Sequence, residues 1–167
     1  MTDPRRQLQG LKNRAHGKQF EDRIDTAFEY YRLRGFASVE KTPEPMRIIE
    51  RLSGGKFIAC FLKKAQPDYK GVIKGGREVM FEAKYTDTDR IDQSRVSSEQ
   101  SATMDEHQRL GARCYVLAGY SSGAVYRIPW DVWRDMKTAF GRKYVTEADL
   151  KEYRMQAAPN GVLDLLK

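Results

Sequence analysis

Two adjacent glycines, Gly75-Gly76, separate two short strand-like runs, Asp68 to Ile73 and Glu78 to Lys84. Consecutive glycines accept positive φ, which a tight antiparallel turn requires. The two runs are therefore predicted to fold back as a hairpin. Residues alternate sides along a strand. Phe81 and Ala83 then face one way, and Glu82 and Lys84 the other. The returning strand brings Asp68 beside Glu82.

The rest of the chain must cover this hairpin. Phe20, Ile24, Ala27, Phe28 and Tyr31 recur at helical spacing from Gly17 onward, and Gly35 is a candidate stop. Val39 to Glu50 reads as extended, because Pro43 and Pro45 exclude a helix. Arg51 to Lys56 is a turn signal before the apolar run Phe57 to Leu62. Residues 48–66 are thus predicted to form a protruding hairpin with basic ends. Thr86 to Val96 reads as a loop over the sheet, and Ser97 to Leu110 as a helix with Ser97 or Ser98 as N-cap and Gly111 as C-cap. Strands are expected over 113–119 and 124–128, a short helix from Pro129-Trp130, and another near Thr146 to Arg154. This order predicts a single α/β domain over 19–167, with a mixed central sheet flanked by helices. A basic flexible arm, residues 1–18, is expected to precede it.

Lys and Arg outnumber Asp and Glu by 30 to 23, a balance of +7 that suits a polyanionic partner. Candidate phosphate contacts are Arg5, Arg6, Lys12, Arg14 and Lys18 in the arm, Arg47, Arg51, Lys56, Lys63 and Lys64 about the hairpin, and Lys70 beside Asp68. No apolar run approaches the roughly 20 residues that cross a bilayer. The first helix carries Glu21, Asp22, Asp25 and Glu29, which excludes a basic membrane-surface helix. The N-terminus lacks the apolar centre of a secretory signal, so a cytosolic chain is expected. Cys60 and Cys114 lie far apart among apolar residues and read as buried free thiols. His107 has only His16 for company, which argues against zinc, and Gly54-Gly55-Lys56 lacks nucleotide-loop spacing.

Asp68, Glu82 and Lys84 are the candidate catalytic set. Two carboxylates packed together repel, and a hard divalent cation such as Mg²⁺ relieves this. Such a cation against a phosphate is the chemistry of metal-assisted phosphodiester hydrolysis. Lys84 would orient or deprotonate the attacking water, or offset charge on the phosphate. The carbonyl of Ala83 is a further candidate metal ligand, and Glu21 a candidate through water. Gln108, next to His107, is a candidate for the water or the phosphate.

At these residues the sequence resembles the RecU family of Holliday junction resolvases, within the restriction-endonuclease-like superfamily of PD-(D/E)xK nucleases. The matching pieces are Asn13-Arg14 with Gly17, Phe20-Glu21, Lys41-Thr-Pro-Glu-Pro45, Pro67-Asp68-Tyr69-x-Gly71, Phe81-Glu-Ala-Lys84 and His107-Gln108. The resemblance spans roughly residues 13–128. It implies a restriction-endonuclease-like fold whose hairpin is a stalk, and a homodimer cutting two strands of a four-way DNA junction symmetrically with Mg²⁺ or Mn²⁺. It further implies that Asp68, Glu82 and Lys84 are catalytic, with Glu21 and Gln108 in support. A nucleoid-associated enzyme of a bacterial or phage-infected cell fits this reading. Gln66 before Pro67 and the double-glycine turn depart from the pattern. Two other readings stay open: a sequence-specific or repair endonuclease of the same fold, and a non-catalytic branched-DNA-binding protein.

Overall fold

The computed structural model describes residues 4–43, 45–62 and 66–166, with side chains from residue 10 onward. In chain order its elements are α1 (Pro4–Leu33), β1 (Ala37–Lys41), β2 (Met46–Arg51), β3 (Phe57–Phe61), β4 (Tyr69–Ile73), β5 (Arg77–Thr86), β6 (Arg90–Asp92), α2 (Ser98–Arg109), β7 (Arg113–Tyr120), β8 (Val125–Pro129), α3 (Trp130–Arg134), α4 (Met136–Phe140) and β9 (Tyr144–Thr146). Five strands form a mixed sheet in the order β1-β4-β5-β7-β8. Its neighbours run antiparallel except β5 and β7, which are parallel. A parallel pair cannot be joined by a tight turn, and α2 supplies the crossover. Gly75 and Gly76 turn β4 into β5 with φ of 97° and 84°, as the sequence predicts.

The alternation of β5 divides the core. Phe81 belongs to the layer beneath α1, with Phe20, Ile24, Phe28, Tyr69 and Leu117. Met80 faces the opposite layer, with Met104 of α2 and Trp130, Trp133 and Met136 of α3 and α4. Glu82 and Lys84 share the parity of Met80, so they point toward α2. The C-terminal segment closes the α1 layer, where the Tyr31 hydroxyl donates to the Leu163 carbonyl at 2.9 Å and accepts from Leu165 N at 3.0 Å. No described helix is long and apolar enough to cross a membrane.

Four expectations change. The arm is not separate from the helix, because α1 runs back to Pro4. Pro4 suits a first helical position, and the following residues are largely good helix formers without another proline. The segment read as a loop over 86–96 contains β6, which pairs with β9 and buries Ile91. The helix expected over 146–154 is instead the end of β9, a turn and a single 3₁₀ turn at Lys151–Tyr153. Val145 and Leu150 are both fully buried. Cys114 is buried as expected, whereas Cys60, on β3, is only half-buried, and both are free thiols.

The hairpin of β2 and β3 is its own two-stranded sheet, slightly shorter than predicted. Every residue of β2 is exposed. Met46, Ile48, Ile49, Phe57, Ile58 and Phe61 leave it with an apolar surface as well as the basic tip residues Arg51 and Lys56.

Candidate active site

β4 pairs with β5 only as far as Tyr69 opposite Phe81, and β5 continues past it to Thr86. At that step Asp68 takes over the ladder. Its Oδ2 accepts from Ala83 N at 2.9 Å, and its own N–H donates to Glu82 Oε2 at 3.2 Å. Backbone N–H and C=O of one strand residue point to the same edge. The Ala83 carbonyl therefore opens beside Asp68, beyond the end of β4. Thr42 N donates to the Asp68 carbonyl at 2.8 Å and holds the end of β1 in place.

Glu82 is fully buried. Its Oε1 is paired with Lys84 Nζ and accepts from Gln100 Nε2 at 2.8 Å. Burial, then the charge of Asp68, pushes the Glu82 carboxyl up to about 7, against the pull of Lys84. Burial also raises Asp68, opposed by the Ala83 N–H and Lys84. Removing two carboxylates from water beside one ammonium disfavours their ionised forms.

Glu21 lies on α1 and pairs with Lys41 of β1. It lines the same cleft as Ala83 and Lys84, and its charge adds to the upward pressure on the Asp68 carboxyl. Gln108 is not brought to the carboxylates. α2 runs antiparallel to β5, with Gln100 at Glu82 and His107 Nδ1 at Glu78 Oε2, 2.8 Å apart. Gln108 is eight residues beyond Gln100, about 12 Å along the helix. Gln100 is the site residue that sequence reasoning missed. A signal for it existed: Ser97 and Gln100 form a capping box, with Gln100 N to Ser97 Oγ at 3.2 Å and Ser97 N to Gln100 Oε1 at 3.0 Å. One side chain thus caps α2 with its oxygen and reaches Glu82 with its amide nitrogen.

Lys12, Arg14 and Lys18 are exposed on α1, Arg47, Arg51 and Lys56 on the hairpin, and Lys70 on β4. Lys18 pairs with Asp22 at 3.3 Å. The side chains of Arg5 and Arg6, and Lys63 and Lys64 altogether, lie outside the described residues.

No group of three or more His, Cys, Asp or Glu that would hold a metal occurs among the described residues. The oxygen set consists instead of two carboxylates and a carbonyl. Asp68 uses Oδ2 on Ala83 N, which leaves Oδ1 for a cation. A hard divalent ion suits these oxygens and would relieve the upward pressure on both carboxyls.

A family model described as "RecU: Recombination protein U" matches residues 15–167. A Holliday junction resolvase RecU of Streptococcus pneumoniae (strain Taiwan19F-14) is 30% identical over 145 residues, covering 82% of this chain and 73% of the relative. Proteins of the same name from Streptococcus gordonii and Streptococcus sanguinis are 30% and 32% identical, over 64% and 70% of this chain. The match spans only 56% and 62% of those two relatives' own lengths. The solved structure of Archaeoglobus fulgidus Hjc, a Holliday junction resolvase, is similar with a TM-score of 0.49 and 13% identity, covering 82% of this chain and 88% of that one.

Proposed function

The chain belongs to the recombination protein U family, and from that premise we propose that it is a divalent-metal-dependent endonuclease resolving four-way DNA junctions. The observation that carries this reading is the meeting of Asp68, Glu82 and Lys84 where β5 outruns β4. Asp68 Oδ1, Glu82 and the Ala83 carbonyl would hold Mg²⁺ or Mn²⁺, with Glu21 able to join through water. A bound cation would supply polarisation of a phosphate oxygen and a more acidic water.

The residues of the chain do the rest. Gln100 and the Asp68 N–H hold Glu82 in one orientation. Ala83 N fixes Asp68. Lys84, 16% exposed and set against Glu82, presents an ammonium that offsets charge building on the phosphate. A junction offers two equivalent strands, and a homodimer would bring one such site to each. The hairpin and the basic residues of α1 would grip the backbone and read shape rather than base sequence.

The test is a strand-labelled four-way junction. Paired symmetric nicks are expected with Mg²⁺ and none in EDTA. Asp68→Asn and Glu82→Gln should each slow cleavage by roughly 10²-fold or more while binding persists. Preference for linear duplex would overturn the junction substrate, and undiminished cleavage by both variants would overturn the site.

A further inference from the structure

A cleft of about 790 Å³ adjoins the carboxylates and is lined by Arg14, Gly17, Ala83, Lys84, Thr86 and Arg95, among others. α1 forms one wall, the end of β5 the floor, and the segment from Arg90 to Arg95 the other wall. α1 is tied to the end of β5 where His16 Nδ1 lies 2.9 Å from Asp87 Oδ1 and the Tyr85 hydroxyl donates to the same oxygen at 3.0 Å. Arg95 Nη1 donates to the Tyr85 carbonyl at 2.8 Å. Its guanidinium is thereby anchored one residue along β5 from Lys84.

The acidic groups of this cleft are largely answered by the protein. Glu21 pairs with Lys41, Asp87 with His16 and Tyr85, and Asp92 with Arg90 at 3.9 Å. Asp89 stands exposed at the rim. Arg90 also lies over the Tyr144 ring, 4.9 Å from its centroid. Arg95 is exposed and has no carboxylate partner among the described residues. A guanidinium fork with one N–H fixed on a carbonyl keeps other donors for an anion.

We propose that Arg95 is a phosphate-binding residue, and that this cleft takes the sugar–phosphate backbone of the strand being cut, next to the phosphate held at Lys84. This inference rests on the endonuclease reading above. It assigns a role to a segment whose sequence reads only as a loop.

Junction binding measured by fluorescence anisotropy in Ca²⁺, across a salt series, tests it with the full chain. Arg95→Gln keeps a donor for the Tyr85 carbonyl and removes the charge; Arg95→Lys keeps the charge. Arg95→Gln is expected to bind roughly 3- to 10-fold more weakly, with the slope of log K against log salt shallower by about 1. Arg95→Lys should recover most of both. Wild-type affinity and slope in Arg95→Gln would overturn the proposal. So would equal losses in Gln and Lys variants, which would mark a structural role. Failure of the wild-type chain to bind or cut any branched DNA would instead remove the endonuclease reading itself.

Discussion

Glu82 carries the site's largest electrostatic cost. Its carboxyl moves from an ordinary 4.5 up to about 7 in the folded chain. The folded protein thus binds this proton more tightly than the unfolded one. That contribution to stability is complete below the ordinary value and is lost as pH rises through about 7. In EDTA, the thermal midpoint is expected to fall as pH rises through that window. Mg²⁺ should restore it more at the upper end than at the lower, and Glu82→Gln should flatten the profile. A wild-type profile in Glu82→Gln would disprove this. Gln100 supports Glu82 at 2.8 Å and caps α2. Gln100→Ala should cost about 1–3 kcal/mol in denaturant titration, since it leaves buried partners unpaired, and should slow cleavage as well. A loss of stability with unchanged cleavage would confine Gln100 to the cap. Asp68, Glu82 and Lys84 were legible in the sequence because strand alternation sets their shared face. Gln100 was not, because alternation says nothing about which turn of a helix lies opposite.

At the scale of elements, the sheet edge beside Asp68 depends on Gly71. A Cβ there would lie 2.0 Å from the Ser38 carbonyl oxygen and 2.5 Å from Val39 Cα. These are backbone atoms of the paired strand β1 and cannot step aside individually. Gly71→Ala should therefore destabilise the fold by about 1–3 kcal/mol, or more if β1 detaches. Chemical denaturation would measure it, and a neutral result would show that β1 shifts freely. The pattern Pro67-Asp68-Tyr69-x-Gly71 announced this glycine, but only the pairing of Val39 with Gly71 explains it. The same limit applies to β6. Three polar-flanked residues carry no strand signal alone, and their partner β9 lies far downstream in the chain.

For the whole molecule, a net charge of +7 suits a large polyanionic partner, and the exposed, partly apolar hairpin offers a contact surface beyond the core. The hairpin buries little and forms a sheet of its own. Replacing residues 46–61 by a short glycine-serine linker should leave the thermal midpoint nearly unchanged. It should also abolish the preference for a four-way junction over linear duplex. A large fall in the midpoint would show that the hairpin belongs to the folding unit. Retained junction preference would remove its proposed role in recognition.

The sequence by itself determined the local decisions: the turn at Gly75-Gly76, the two faces of β5, the apolar stripe of α1 and the motifs that mark the family. Each rests on φ preferences or on a periodicity read within a few residues. Tertiary structure alone decided that Gln100 rather than Gln108 meets Glu82, and that Lys41 holds Glu21. It also decided how deeply the carboxylates are buried. Those outcomes depend on how separate elements slide and stack, and a shift of one helical turn exchanges one partner for another without altering any local pattern.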